Sequence, residues 1–295
     1  MSRELLAFFS PLKPVRSGVV DYSECLLPKL AHYYDIHLYG HDEPPVTPLI
    51  SNLFRWFPRR DYELKRRQYD YAANIYQLGN HHIHQFTYPM LPRYPGIIDL
   101  HDNNIHHARA YSHLGHKNLK DYLEELTWCH GELAEKAGKA LAHGYHNAVL
   151  HDLFPMLRLI CQGARSVIVH NQFAQDQITD YLEADRIFQV PLPFLDSLKP
   201  DNNEMRKLLN IPGDELIISA FGFVTPGKGV DSILAAFKLF HRQYPRSRFV
   251  FVGSFLDDDY KEHVKQLVAD NSEIHVTGYV DEDEWMKWLA VSDIC

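Results

Sequence analysis

Excess positive charge is missing from this chain: 30 Lys and Arg face 38 Asp and Glu, a formal net charge of -8. A phosphate backbone calls for a basic surface, so no nucleic acid partner is expected. Cysteine is scarce as well. Cys25, Cys129, Cys161 and Cys295 lie far apart, with neither the close pairs of a zinc site nor the density of a disulfide scaffold, which predicts a reducing, cytoplasmic setting. No apolar run approaches the roughly 18–20 residues of a membrane span. The run from Leu5 to Phe9 is too short for a signal peptide before Pro11 and Pro14 break it, so membrane contact is expected only at the periphery. A GxSxG elbow and a cysteine in a nucleophile motif are also absent, and the residues give no support to a hydrolase.

What is present is enough chain for two modest cores: 295 residues, 45% hydrophobic, against a usual domain of roughly 100–200 residues. Glu4–Phe9 reads as a buried strand, Ser10–Ser17 as a loop, Val19–Tyr34 as a helix at near-helical apolar spacing, and Ile36–Tyr39 as a second strand. That β-loop-α-β order predicts a parallel sheet with ligands beyond the strand carboxyl ends. Asn74–Leu78, Gly96–Leu100 and Ser166–His170 extend it, residues 41–70 look less regular, and 108–165 read mainly as helices with breaks near Gly115 and Gly144. The first domain is placed at 1–194. A polar, turn-forming linker is placed at 195–212, and a second α/β domain at 213–295 with strands Leu216–Phe221, Phe249–Val252 and Ile274–Val276.

Several residues at strand ends are candidates for chemistry. Gly222–Gly229, with Lys228, follows a strand and opens a helix; small residues let backbone amides approach a diphosphate and the lysine adds a point charge, though a turn with a solvated lysine has the same local pattern. Gly18, after the first strand, brings amides beside a bound group or simply starts a helix. His101 and Asp102 follow a strand directly: either they project into a site, where a neutral histidine accepts a proton near pH 7, or they form a hydrogen-bonded pair at the strand end. Asn80, His84 and Asn171 rank second, Asn171 having an adequate explanation as a helix N-cap. Among 19 histidines, His81-His82-x-His84 and His106-His107 invite a metal reading, but strand neighbours face opposite ways and no Cys or carboxylate completes a motif, so no metal is expected. Arg55, Arg59, Arg60, Lys65, Arg66 and Arg67, interleaved with Trp56, Phe57, Tyr62 and Tyr69, suit anionic headgroups or a solvated helix equally.

Taken in order, Ser10–Ser23 (SPLKPVRSGVVDYS), YQLGN ending at Asn80, YPGIIDLHD ending at Asp102, SVIVHNQFA, FGFVTPGKGVDSILAAF, FVFVGS and IHVTGYVDEDEW resemble the retaining GT-B glycosyltransferases of family 4 across nearly the whole chain. The resemblance implies two Rossmann-like domains facing across a cleft. It also implies transfer of a hexose from a nucleoside diphosphate sugar, which is a substrate and not a cofactor, to a glycan or lipid-linked acceptor in polysaccharide or glycoconjugate synthesis. It places His101 near the reacting sugars, Asp102 in support of its loop, Gly18 beside the diphosphate or acceptor, and Lys228 on the departing diphosphate. The family often has a basic residue after the first glycine of that loop, where this chain has Phe223. Its acidic motif of two glutamates is not reached, since the sequence stops at Val291–Cys295 where a strand begins. The second domain is therefore expected to be incomplete, with an apolar edge open to self-association. The alternative is a non-catalytic remnant that binds a glycan or a partner subunit.

Overall fold

The computed structural model describes residues 3–145, 148–192, 201–269 and 271–295. They divide into two compact units, Met1–Leu192 and Pro193–Cys295. The first unit is built on seven parallel strands: β1 (Leu5–Phe9), β2 (Asp35–Gly40), β3 (Arg55–Pro58), β4 (Ala73–Leu78), β5 (Gly96–Leu100), β6 (Ala164–Val169) and β7 (Ile187–Gln189), in the order β3-β2-β1-β4-β5-β6-β7. Alternate residues feed two cores. Ala7, Phe9, Tyr39, Tyr76 and Leu78 face one side, while Phe8, Ile36 and Leu38 face the other, as the period of two along a strand requires. Helix cover on both faces explains why these strands read as continuous apolar runs.

Ser17 caps α1 (Gly18–Leu30) by accepting the Val20 N–H, which fixes where the chain turns back under the sheet. Residues 41–70 hold more structure than expected: α2 (Pro48–Leu53), the edge strand β3 and α3 (Tyr62–Gln68). A four-residue strand that starts on Arg and ends on Pro is edge chemistry, and carries little pattern of its own. The 108–165 region is helical, as α4 (His106–Leu114), α5 (Leu119–His130), α6 (Glu132–Ala142), α7 (Ala148–Leu153) and α8 (Arg158–Gly163). Gly115 ends α4, and Gly144, at φ 86°, lies just past α6. After β6 comes α9 (Gln172–Ile178).

The second unit has three parallel strands, β8 (Leu216–Phe221), β9 (Ser247–Val252) and β10 (Ile274–Val276), in the order β10-β9-β8. Ile294 makes a further parallel bridge to Ile218. The helices are α10 (Asn202–Leu208), α11 (Val230–Gln243), α12 (Asp258–Val268) and α13 (Glu282–Val291). Part of the expected linker is thus helical. Asp201 caps α10 at the Glu204 N–H, and Met205 and Ile211 enter the core with Ile217, Val250 and Trp288, burial that a polar-looking sequence conceals. The rest of that linker, residues 195–200, lies outside the described residues, as do Pro193 and Phe194 at the expected end of the first domain. No described helix is long and apolar enough to cross a membrane.

Candidate functional site

In the first unit the strand order reverses between β1 and β4, so the chain leaves their carboxyl ends in opposite directions and opens a crevice there. The loops after β1, β4, β5 and β6 gather at this edge, and they carry Gly18, Asn80, His101, Asp102 and Asn171. Parallel register does the rest: Gln77 of β4 lies opposite Asp99 of β5.

Asp99 is the centre of the cluster, its side chain 3% exposed within an apolar strand. Gln77 donates Nε2–H to Asp99 Oδ2 at 3.0 Å, which leaves Gln77 Oε1 to accept Nε2–H of His101 at 2.6 Å. His170, immediately after β6, donates Nδ1–H to the Val190 carbonyl at 2.8 Å and turns Nε2 toward Asp99 Oδ1, 3.2 Å away. Those two atoms are near but not aligned as a hydrogen bond, and both are buried without another partner. Tyr22 of α1 packs edge-on against His101 at 4.7 Å between ring centroids and lies 5.6 Å from His170. Burial lowers the pKa of His101 despite Asp99 and Asp102 nearby. For Asp99, burial alone would raise the carboxyl, but the contacts with His170, His101 and Gln77 outweigh it and bring it down. Burial opposes the His170 cation too, and Asp99 with the Val190 carbonyl overcomes it, so the ring holds its proton more firmly than free histidine.

The other sequence-chosen residues have well-defined places. Asp102 Oδ2 accepts the Asn80 N–H at 2.6 Å, tying the β4 and β5 loops together, and Asn80 Oδ1 accepts the Ala108 N–H at 3.1 Å in the first turn of α4. Gly79 permits this approach: a Cβ there would sit 3.0 Å from both Asp102 Oδ2 and His84 Nε2. His84 is fully buried, bonded to the Gln77 carbonyl at 3.0 Å and driven down to about 3 chiefly by burial, so it is a neutral packing group. Asn171 caps α9 through the Ala174 N–H at 2.8 Å, and Gly18 opens α1 beneath empty space. In the basic cluster, Arg60 pairs with Asp42, Arg67 with Glu63, Lys65 lies over Phe57 and Arg66 over Tyr94. Elsewhere in this unit a cavity of about 450 Å³ is lined by His41, Arg59, Tyr88, Arg109, Ser112 and His116.

Sequence reasoning missed Asp99, Gln77, His170 and Tyr22. The available signal was a carboxylate and an amide inside apolar strands, Ile97-Ile98-Asp99-Leu100 and Ile75-Tyr76-Gln77-Leu78, where a buried polar group needs a partner.

In the second unit β8 runs into Gly222, at φ 107°, and the loop closes at Gly229, at φ 66°, directly before α11. Nothing lies within 4 Å of where side chains at Gly222, Gly227 or Gly229 would begin, so the backbone is open to a ligand. Helix α11 has no side-chain cap, and Lys228 is exposed. Gly253, ending β9, is held against Gly222: a Cβ would overlap the Gly222 carbonyl. Gly253→Ala is expected to cost about 1–3 kcal/mol, read by urea denaturation, because backbone must shift; an unchanged midpoint would show that the loop yields freely.

No protein-family model matches the chain, and no curated protein shows significant sequence similarity to it. Solved structures do. HepE of Anabaena, in complex with UDP and glucose, is similar at 14% identity and a TM-score of 0.59, covering 99% of this chain and 73% of that one. The sucrose-phosphate synthase of Thermosynechococcus elongatus is similar at 15% identity and 0.61, covering 99% and 75%. WaaG, a glycosyltransferase involved in lipopolysaccharide biosynthesis, is similar at 12% and 0.56, covering 98% and 73%. At these identities the likeness shows the fold, the α/β architecture of the GT-B glycosyltransferases.

Proposed function

We propose that the chain transfers a hexose from a nucleoside diphosphate sugar, with retention at the anomeric carbon, to a glycan or lipid-linked acceptor. The carrying observation is the Gly222–Gly229 loop in a GT-B fold: open backbone, an uncapped helix N-terminus and an exposed lysine at a strand carboxyl end. Free N–H groups at the positive end of α11 and the Lys228 ammonium are suited to hold a diphosphate and to stabilise the charge that grows on it as it leaves. His101, kept neutral by burial, aligns the sugars, with Asp102 supporting its loop and Gly18 beside the diphosphate or acceptor; catalysis then rests on orientation and charge. One of the structural neighbours above supports the donor class by what it holds: HepE of Anabaena was solved with UDP and glucose and also with UDP-glucose. The cavity lined by His41, Arg59 and His116 is the proposed acceptor pocket, with Arg59 as the cation for an anionic group, since Arg109 is already paired with Glu125. The basic residues of β3 and α3 are proposed to touch anionic lipid when the acceptor is membrane-borne.

The test is a panel of nucleotide sugars offered to the wild-type chain and to Lys228→Ala. The lysine ammonium makes no hydrogen bond or ion pair among the described residues, so the variant keeps its melting temperature. Donor affinity is expected to fall by about 1.5–3 kcal/mol, the worth of one charge-assisted contact. Equal affinity in the two proteins would remove Lys228 from the site. Donor binding without product across a broad acceptor panel would return the alternative, a non-catalytic binder.

A further inference from the structure

We propose that Asp99, His101 and His170 form a binding site for one first-row divalent cation of the zinc type. One ligand-type atom from each of the three lies within 4.8 Å of the other two. The outer atom of every one is already engaged. His170 Nδ1–H is held by the Val190 carbonyl, His101 Nε2–H by Gln77 Oε1, and Asp99 Oδ2 by Gln77 Nε2–H. Metal-bound histidines and carboxylates are oriented in this way, the far ring N–H given to a carbonyl or carboxylate acceptor and the far oxygen bonded in turn. What remains inward is one ligand-type atom per residue, Asp99 Oδ1 and His170 Nε2 among them, and the imidazolium proton of His170 is released when a metal takes its place.

The spacing of the pair also suits a metal ion. Around a tetrahedral ion with bonds of about 2.0–2.1 Å, neighbouring ligand atoms sit about 3.3 Å apart. Asp99 Oδ1 and His170 Nε2 are 3.2 Å apart, their side chains 3% and 5% exposed, and neither atom makes a hydrogen bond. In the metal-free protein the His170 imidazolium compensates the buried Asp99 carboxylate, and a divalent cation takes over that compensation when it displaces the proton. His101, on the loop after β5, has to move inward by no more than about 1.5 Å to complete the set. Three protein ligands with a fourth position open is the composition of reactive zinc centres, where structural ones have four. The open position belongs to the carboxyl edge of the sheet, with Tyr22 packed against both imidazoles. The adjacent pairs His81-His82 and His106-His107 contribute nothing to it, because the site draws on residues 71 positions apart in sequence, Asp99 and His170. It does not depend on the transfer reaction proposed above.

The experiment loads chelator-treated full-length chain with Zn²⁺ or Co²⁺ alone and reads stoichiometry by elemental analysis, affinity by competition with a chromophoric chelator, and ligand geometry by the visible spectrum of the Co²⁺ form. One ion per chain is expected, with a tetrahedral or five-coordinate cobalt spectrum. Asp99→Asn and His170→Gln abolish uptake at that ion concentration, and Gln77→Ala, which leaves all three ligands in place, weakens it about 10–100-fold. His101→Gln, at the ligand on the loop after β5, serves where a strand variant fails to fold, as judged by its circular dichroism melt. Absence of stoichiometric uptake by wild type overturns the site. So does uptake that is unchanged in the folded variants, which would place the ion on the surface histidines.

Discussion

Replacing Arg206 with alanine lowers the stability of the second unit by about 1–3 kcal/mol, the cost of leaving buried hydrogen-bond acceptors without their donor. Arg206 is 6% exposed. Its guanidinium donates to Asn202 Oδ1 at 2.9 Å, the Pro212 and Glu215 carbonyls at 3.1 and 2.7 Å, the Val291 carbonyl at 3.3 Å and Asp293 Oδ2 at 2.8 Å. Asp293 Oδ2 also accepts the Ile217 N–H at 2.8 Å, so one side chain joins α10, the start of β8 and the segment after α13. Without it three carbonyls and a carboxylate lose their donor. Lysine does not rescue the position, because one ammonium cannot reproduce five donors in a planar fork. Amide exchange over β8 and α13 is the measurement; protection within about 1 kcal/mol of wild type would refute this role.

The second large effect is in the first unit and depends on pH. Glu125 on α5 accepts Nε–H and Nη2–H of Arg109 at 2.7 and 2.5 Å and lies 2.6 Å from His113 Nε2, both partners being on α4. Arg109 is sandwiched further by the Tyr88 ring, 4.6 Å away. Burial alone would raise the Glu125 carboxyl, but the Arg109 and His113 bonds outweigh it and bring it down to about 2. A depressed carboxylate stabilises fully above its unfolded value, near 4.5, and the contribution fades as pH falls through the folded value near 2. Glu125→Gln is therefore expected to cost about 3–5 kcal/mol at pH 7, where it strands the Arg109 charge. The gap between variant and wild type narrows as pH falls from 4.5 toward 2. Urea denaturation at pH 7 and pH 3 measures it, and a pH-independent gap would mean that shape, not charge, joins α4 to α5.

Much of this was legible along the chain. Strands β1, β2, β4, β5, β6, β8 and β9 announce themselves as short apolar runs between turn residues, because a parallel strand covered on both faces has no polar side to show. Edge strand β3 and the three-residue β7 carry no such run, and neighbouring strands alone define them. Helix α10 hid in a polar stretch, since Met205 is its one apolar residue in that core, joined just past its end by Leu209 and Ile211.

For the candidate site the division is similar. His101, Asp102, Asn80, Asn171 and the Gly222–Gly229 loop each follow a strand directly, and in a parallel sheet that position is enough to place them at the carboxyl edge. Their roles were not decided there. Whether Asn80 faces a ligand or ties down α4, and whether Asp102 reacts or holds a loop, depends on hydrogen bonds to residues 22 and 28 positions away. Asp99, Gln77 and His170 were out of reach for the same reason: their contact exists only because β4, β5 and β6 lie side by side in one register. Local sequence determined which residues sit in strands and which begin helices, through periodicity and capping. Tertiary structure alone decided which buried polar atoms meet, because strand adjacency and register are set by how two whole cores pack, and no local pattern encodes that.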